Sequence, residues 1–464
     1  MAPITDIINK FKNRLSVSGP KHAHAEPTGP VTLSLSKRSP PTASAKIAAA
    51  VEDTAATVSE KEPFAIGSAY VSRLRVKYAN RFDHFKANTG KTNGLDKRAD
   101  TAQVAAVSDT GSEPLVDQQD ELLWVGQVGV GTPAQIVTVD FDTGSSDLWV
   151  NPSIYKPSAS STAKKTGKTF RVAYGDGSHA TGDIYLESVT VGGLTAVKQA
   201  FGTATKSTLH DSGNQGIAGM AFKSIAQFNA DPFFDTLVKQ GTAPQNVFAF
   251  GLWPEGARLD LGHIATEAYQ GEITYSKVDP SDGFWTTSFE VTGTDSTQSG
   301  IIDTGTTLII GPPDVVTALY KSLGVETQVQ NGEVYGVYPT SSPPSITLTF
   351  NGTPFTISPD ALSFQAQGDQ TIGGIIGADI GGPAWIIGDT FLQDVYAVFD
   401  KGNLQVGFAP KATSFAPASG STPATGTTDA VAPDTTATEP TATETTATEP
   451  AATETAAETP APTA

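Results

Sequence analysis

The sequence predicts a mostly β-sheet protein whose body consists of two related halves. Short runs of Val, Ile, Thr and Phe are separated by Gly, Pro, Asn and Asp, which is typical of strands joined by turns. The tripeptide Asp-Thr-Gly occurs twice, at 142–144 and 303–305, each time after β-branched or aromatic residues and before small hydroxyl residues. The copies lie 161 residues apart, about half the length of the body, as expected for a duplicated unit.

Length and composition limit the possible classes. A chain of 464 residues is longer than one hydrophobic core usually serves, so we expect two or more folded units. The chain contains no cysteine, which excludes disulfides, a cysteine nucleophile and cysteine-ligated zinc. No run approaches the roughly 18 apolar residues that a membrane helix needs.

Residues 1–98 form a basic leader. They contain 16 Lys and Arg against 8 Asp and Glu, although the whole chain has a net charge of −18. This contrast indicates an intramolecular electrostatic contact between leader and body, and we expect no nucleic-acid binding because the acidic body would repel it. Residues 70–78 are a plausible basic helix or strand. The dibasic pair Lys97-Arg98 ends the leader and is a candidate site for a dibasic processing protease.

The first residues lack a secretory signal, because residues 2–10 contain no apolar core segment. Two alternatives follow: the protein does not use the usual secretory route, or the true start precedes this sequence. We expect the second, since the leader and the dibasic pair both indicate the secretory pathway.

Four segments are expected along the chain. After the leader come an N-terminal half at 99–270 that contains Asp142 and a C-terminal half at 271–411 that contains Asp303. In each half a segment of two apolar residues and glycine follows, ending at Gly219 and Gly388. Residues 412–464 repeat Thr, Ala, Pro and Glu with a ten-residue period, which predicts a disordered tail, either O-glycosylated or an unmodified acidic spacer.

Two carboxylates that face each other can share one proton and activate a water molecule. The charged oxygens act as a general base, and the protonated partner donates to a substrate carbonyl. We therefore expect Asp142 and Asp303 to be catalytic. The residues that follow them should support the pair, because glycines let backbone N–H groups approach, hydroxyls donate to the outer oxygens and threonines can link the two loops: Thr143, Gly144, Ser145, Thr304, Gly305 and Thr306.

Other mechanisms lack their residues. The sequence has no Gly-x-Ser-x-Gly serine elbow and no His-Glu-x-x-His zinc helix, and we expect no metal and no organic cofactor. A glycosidase also uses two carboxylates, but it would not need matching Asp-Thr-Gly frames. A catalytically silent binding protein remains the alternative, although both aspartates are intact.

These motifs resemble the pepsin family of aspartic endopeptidases, especially its fungal secreted branch, which includes endothiapepsin. The resemblance rests on three segments: Asp142–Val150, Asp303–Leu308 and Tyr174–Ser178. The last of these looks like the flap of that family. The resemblance implies an all-β, bilobal, pepsin-like double-barrel fold with a central cleft, made as a zymogen. It also implies a monomer that cleaves polypeptides at acidic pH and is secreted, with a vacuolar location as the alternative.

The resemblance also assigns roles to single residues. Tyr174, Gly175 and Asp176 would form the flap, with Trp149 and Asp140 beside it. Asp176 has two alternative roles: it pairs with a substrate lysine just before the cut, or it only helps to form the turn. Lys77, in Lys77-Tyr78, would be the inhibitory residue of the prosegment. The chain departs from the family in three ways. It has no cysteine, it has Gln215-Gly216 where the family usually has Asp-Gly, and it lacks the phenylalanine that lines a substrate pocket near 208–209.

Overall fold

The computed structural model describes residues 64–90, 111–118, 123–173, 179–207, 214–294, 296–381 and 385–412. Within them strands predominate, so the prediction of a mostly β protein is confirmed. The five helices of this part are α1 Ala65–Thr89, α2 Phe233–Lys239, α3 Pro313–Ser322, α4 Pro359–Leu362 and α5 Asp389–Leu392, and single 3₁₀ turns lie at Pro157–Ala159, Lys223–Ile225 and Pro280–Asp282. No helix in the described ranges combines the length and the apolar character that crossing a membrane requires.

The leader helix α1 is the one long helix among these segments. Val71, Leu74 and Tyr78 follow one another at three- and four-residue spacing and are buried, which is the periodicity of one helix face. Helix α1 ends at Gly90, whose positive φ of 68° suits glycine and whose N–H donates to the Lys86 carbonyl. The basic segment that could have been helix or strand is therefore helix.

The N-terminal half builds an eight-stranded sheet in the order β2-β3-β4-β9-β5-β8-β7-β6, and β3 also pairs with β7. Along β7 buried and less buried residues mostly alternate, as expected of a strand with one face on a core. The strands of this half are β1 Gly111–Pro114, β2 Val116–Gln118, β3 Leu123–Val130, β4 Gln135–Asp142, β5 Leu148–Val150, β6 Lys164–Ala173, β7 His179–Val191, β8 Leu194–Ser207, β9 Gly216–Gly219, β10 Val247–Gly251 and β11 Arg258–Leu261.

The other sheet has sixteen strands and connects the two halves of the sequence. Its order begins β1-β11-β10-β23-β24-β12, so strands from the N-terminal half pair directly with strands from the end of the chain. The strands of the C-terminal half are β12 Thr274–Asp279, β13 Thr286–Val291, β14 Gln298–Ile302, β15 Ile309–Gly311, β16 Glu326–Gln330, β17 Glu333–Pro339, β18 Thr347–Phe350, β19 Thr353–Thr356, β20 Ser363–Gln367, β21 Gln370–Gly377, β22 Trp385–Ile387, β23 Val395–Asp400 and β24 Gln405–Pro410.

Strand pairing repeats in the two halves. In the first, β9 is parallel to β4 and antiparallel to β5, and β5 is parallel to β8. In the second, β22 is parallel to β14 and antiparallel to β15, and β15 is parallel to β21. Both apolar–apolar–glycine segments thus lie beside the strand that leads to an Asp-Thr-Gly loop. An aromatic group at the core, Phe248, Trp285 and Phe399, packs between strands of both halves, with ring centroids 5.0–5.6 Å apart.

Candidate active site

The two aspartates come from equivalent places in the two halves. Asp142 is the last residue of β4, and Asp303 directly follows β14. The neighbouring segment holds each loop, because Met220 N–H donates to the Asp142 carbonyl at 2.8 Å and Asp303 N–H donates to the Ile387 carbonyl at 3.0 Å. Both side chains are almost completely buried. The duplicated strands therefore deliver two carboxylates to one place.

The threonines of the two loops link them reciprocally. Thr143 N–H donates to Thr304 Oγ1 at 3.1 Å, and Thr304 N–H donates to Thr143 Oγ1 at 3.0 Å. Each hydroxyl then donates to a carbonyl of the opposite half, Thr143 to Ile302 at 2.8 Å and Thr304 to Phe141 at 2.6 Å. Four buried hydrogen bonds thus fix the spacing of the two aspartates.

Backbone and hydroxyl donors surround the carboxylates. Gly144 N–H donates to Asp142 Oδ1 at 2.8 Å, and Gly305 N–H donates to Asp303 Oδ1 at 3.0 Å. Thr306 Oγ1 donates to Asp303 Oδ2. Ser145 Oγ, by contrast, has no hydrogen-bond partner among the described residues, although it is close enough to lower the pKa of Asp142. The two halves of the site are therefore not identical.

Each glycine of these loops packs against the aspartate of the other loop. A Cβ at Gly305 would lie 2.3 Å from Asp142 Oδ1, and one at Gly144 would lie 2.5 Å from Asp303 Oδ1. Real Cβ atoms do not approach an oxygen so closely, so any larger residue would push the carboxylates apart. The close approach explains why glycine occupies both positions.

Lys77 of α1 places its ammonium between the two aspartates. Its Nζ lies 3.0 Å from Asp142 Oδ1 and 2.8 and 3.1 Å from the two oxygens of Asp303, and it also donates to the Gly305 carbonyl at 3.3 Å. The neighbouring Tyr78 hydroxyl donates to Asp303 Oδ2 at 2.6 Å, and its ring packs on Phe284 with centroids 5.2 Å apart. The leader helix therefore occupies the space in which a reacting group would meet the pair.

The electrostatics of the pair follow from this contact. Burial opposes ionisation of Asp142, but the Lys77 ammonium and the hydrogen bonds outweigh it and hold the pKa of Asp142 well below its usual value. Burial, together with the charge of Asp142, raises the pKa of Asp303, against the effect of Lys77. Burial would lower the pKa of Lys77, yet the two carboxylates raise it, so the lysine is charged.

Further contacts hold α1 along the body, and sequence reasoning did not anticipate them. Tyr70 Oη accepts from the backbone N–H groups of Thr307 and Leu308. Toward the other end, Asn88 Nδ2 donates to the carbonyls of Ser224 and Ala226 at 3.0 and 2.7 Å. The N-terminal part of the helix thus contacts the Asp303 half and its C-terminal part the Asp142 half. The only sequence signal for these contacts was the basic character of 70–81.

Arg81 is a second buried cation of α1 near the site. Its side chain faces Asp142 and Asp147, and its charge lowers the pKa of each, although burial is the larger effect on both carboxylates and raises the pKa of Asp147 overall. Asp147 accepts from the N–H groups of Gln227 and Phe228 at 2.7 and 2.9 Å. It therefore anchors a loop of the N-terminal half rather than joining the pair.

Asp389 is a further buried acid near the pair, and the sequence analysis did not predict a role for it. Asp389 is 2 % exposed at the start of α5, and burial, reinforced by the charges of Asp140 and Asp303, raises its pKa well above the usual value. Asp140, which the resemblance placed beside the flap, is buried in β4 opposite Val125 and Ile217. The Asp389 position could have been read from Trp385–Asp389, where an acid follows two isoleucines and a glycine.

The expected flap residues Tyr174, Gly175 and Asp176 lie outside the described residues, as do Lys97, Arg98, residues 208–209 and the tail after 412. The strands that would carry the flap are described: β6 and β7 pair antiparallel up to Ala173 and His179. Trp149 is buried and packs on Phe170, with centroids 6.0 Å apart. No group of three or more acidic or histidine side chains in the described ranges is arranged to hold a metal ion.

Comparison with known proteins agrees with this geometry. Residues 123–411 match the family described as eukaryotic aspartyl protease. The chain is 37% identical over 350 residues to secreted aspartyl protease 1 of Malassezia globosa, covering 73% of this chain and 85% of that protein. It is 36% identical over 351 residues to aspergillopepsin-1 of Aspergillus fumigatus (69% and 87%) and 36% identical over 335 residues to pepsin A of Suncus murinus (66% and 85%).

The family match and the length of the similarity to the relatives lead to the same family assignment. This assignment agrees with the resemblance found in the sequence. The chain belongs to the eukaryotic aspartyl protease family and is an aspartic endopeptidase, a hydrolase of polypeptides with the all-β pepsin-like fold.

Proposed function

We propose that this chain is the zymogen of an acid endopeptidase in which Asp142 and Asp303 carry catalysis and Lys77 blocks them. The observation that supports this most is the Lys77 ammonium within 3.0 Å of Asp142 and 2.8 Å of Asp303. An ammonium in this place neutralises the pair and excludes water from it. The leader at 1–98 would be the prosegment, and the lobes at 99–270 and 271–411 would each supply one aspartate.

Once the helix has left, the pair holds one proton between two carboxyl groups. The ionised carboxylate takes a proton from water while the oxygen of that water bonds to the peptide carbonyl carbon. The protonated partner gives its proton to the carbonyl oxygen, which yields a neutral tetrahedral diol. Proton transfer to the amide nitrogen and cleavage of the C–N bond then release an acid and an amine, and the pair again carries one proton.

The neighbouring residues keep this pair poised. Donors from Gly144, Gly305 and Thr306 favour a single negative charge, and Ser145 also favours the ionised form of Asp142. Thr143 and Thr304 hold the spacing. Tyr174, Gly175 and Asp176 would cover the bound peptide, with Trp149 beneath them and Asp140 nearby.

Acid would favour release of the helix. The Lys77 charge holds the pKa of Asp142 well below its usual value, so Asp142 binds fewer protons with the helix in place than after release. Burial keeps the pKa of Asp303 raised despite Lys77, so the response to acid comes from Asp142. Closure is therefore complete above the acidic range and weakens as the pH falls through the pKa of the released pair. Because the pKa of Lys77 is raised, the lysine loses its proton only in alkali, so its own titration does not affect closure in acid. Cleavage after Lys97-Arg98 by a dibasic processing protease is the alternative trigger.

The location is proposed from the relatives. One of them is named a secreted aspartyl protease, and together with the leader this favours an extracellular enzyme, with the vacuole as the alternative. We propose that it acts as a monomer without metal or organic cofactor, that its partners are polypeptide substrates and its own prosegment, and that nucleic acid is not among them.

The decisive experiment compares wild-type protein with Asp142→Asn after acidification. Hydrolysis of a denatured protein should require acid, be blocked by pepstatin and fall by at least about 10³-fold in Asp142→Asn. Asp369→Asn, an exposed aspartate in a turn between β20 and β21, is the matched control and should keep full activity. Activity that persists in Asp142→Asn would refute the mechanism, and an inactive wild type freed of its helix would favour the silent binding protein.

A further inference from the structure

We propose that Glu333 and the backbone carbonyl of Asp379 form a substrate subsite for an arginine side chain. In the structure this subsite is filled by Arg75 of the leader helix α1. The inference rests on the proposed release of α1, because only then would a substrate side chain reach these groups. Under this proposal Glu333, which lies away from the catalytic pair, is a specificity-determining residue of the peptidase.

The contacts of Arg75 define the chemistry of the subsite. Arg75 Nη1 donates to Glu333 Oε1 at 2.9 Å, and Arg75 Nε donates to the Asp379 carbonyl at 2.6 Å. Two acceptors thus bind different nitrogens of one planar guanidinium, which fixes its orientation as well as its position. A lysine ammonium is a point charge on a flexible stem and matches this pair of acceptors less well.

Glu333 has an unusual environment for a carboxylate in a cleft. Its side chain is 1% exposed, and its second oxygen accepts from Ser68 Oγ at 2.6 Å. Two of its hydrogen-bond donors, Arg75 and Ser68, therefore belong to α1, while the Tyr335 hydroxyl of the body is also close enough to hydrogen-bond with it. Arg75 itself is 36% exposed, so the pair is buried on the Glu333 side only, and the loss of Arg75 leaves the Glu333 charge without its cation. When α1 leaves, Glu333 faces the emptied cleft and a substrate cation can replace Arg75.

The body offers Glu333 a neutral neighbour in place of a cation. The Tyr335 hydroxyl lies 3.2 Å from Ser68 Oγ. Burial, with a smaller contribution from the Glu333 carboxylate, raises the pKa of Tyr335 to about 12, so this hydroxyl keeps its proton. Tyr335 can line the subsite and donate a hydrogen bond, but it cannot balance the charge of Glu333.

The position along the cleft follows from the helix. Ser68, which shares Glu333 with Arg75, precedes Lys77 by nine residues, and nine residues of α-helix span about 13 Å. Tyr70 contacts the Thr307 and Leu308 backbone on the same half. An extended peptide advances about 3.3 Å per residue, and an arginine side chain adds its own reach, as Arg75 shows from a position two residues before Lys77. The arginine should therefore stand within about four residues of the scissile bond.

The test uses acid-activated full-length protein and a series of peptides with one cleavable bond. Arg, Lys or Gln is placed at each of the four positions on either side of that bond, and kcat/KM is measured near pH 5, above the ordinary range of Asp and Glu carboxyls. At one position wild type should cleave the Arg peptide about tenfold faster than the Gln peptide, with Lys in between, since the Gln peptide lacks the charge-assisted pair with Glu333. Glu333→Gln should cleave all three peptides about equally.

Two controls make the result specific. Glu326→Gln removes an exposed carboxylate from β16 of the same hairpin and should keep the Arg preference. Glu333→Asp retains the charge and should keep the order Arg over Gln even if Glu333→Gln folds poorly. Equal cleavage of Arg and Gln peptides by wild type would refute the subsite but not the proposed function. The same holds for a Glu333→Gln variant that releases α1 faster but keeps the preference for Arg. Failure to cleave any peptide would refute the proposed activation and the subsite with it.

Discussion

Replacing Lys77 with methionine tests the block directly. The substitution removes the ammonium and keeps most of the buried aliphatic stem. Asp142 Oδ1 and Asp303 Oδ2, which lie 3.0 and 2.8 Å from the Lys77 ammonium, would lose this cationic contact, and the charge of Arg81 would act on Asp142 without a hydrogen-bonded lysine beside it. Tyr78 would still donate to Asp303, so the helix keeps an anchor at the pair. We expect α1 to remain folded but to leave the cleft far more often.

The size of the effect follows from the burial of this ion pair. Removing one partner of a buried pair costs about 3–5 kcal/mol. The carboxylates can then take up a proton, which returns part of this cost because each pKa unit is worth about 1.4 kcal/mol. We expect a net loss of at least about 2 kcal/mol in the closed state. That free energy corresponds to a roughly 30-fold larger open fraction.

Binding of fluorescently labelled pepstatin to the full-length chain measures this fraction, because the apparent affinity scales with the population of the open state. Anisotropy at about pH 5.5, recorded before processing, should show an apparent Kd about 30-fold lower for Lys77→Met than for wild type. Lys86→Met changes an exposed lysine of the same helix and should leave it unchanged. Equal affinities for Lys77→Met and wild type would show that the lysine does not hold the helix.

Two more predictions concern the loops and the pH. Thr143→Val keeps the shape of the side chain but leaves the Ile302 carbonyl and the Thr304 N–H without their partner. Calorimetry should therefore find a free energy of unfolding lower by about 2–4 kcal/mol and a Tm lower by several degrees. The control Thr169→Val changes an exposed threonine and should not change Tm. Deuterium uptake in residues 65–89, corrected for intrinsic exchange, should rise as the pH falls from about 6 to about 4, since Asp142 binds more protons once Lys77 departs. Uptake that does not depend on pH would contradict acid release.

The sequence was sufficient for the parts of the site that rest on short-range patterns. The Asp-Thr-Gly frames and the β-type composition carry their information locally, and the 161-residue spacing reveals the repeat. These features led to the mostly β fold and to the peptidase family. The strand pairing of β4 with β9 and of β14 with β22 adds what the motifs could not give, the placement of both carboxylates at one point.

Contacts between distant segments could not be derived in the same way. Glu333 is an ordinary acid in the sequence, and only the folded hairpin of β16 and β17 brings it to Arg75, 258 residues away. Asp389 gave no signal of its raised pKa, since that depends on its burial and on the charges of Asp140 and Asp303, one from each half. Partner choice in such pairs is set by the three-dimensional packing, and a single sequence does not encode it in any periodic pattern.

The helix α1 ends at Gly90, and its described contacts with the body lie between Phe64 and Asn88. A cut after Arg98 would therefore leave all of them intact. What it would remove is the tether, which keeps the helix near the cleft at an effective concentration in the millimolar range typical of short linkers. After the cut, occupancy of the cleft depends on dilution, and enzyme freed into a large volume would become active without any change in the contacts themselves.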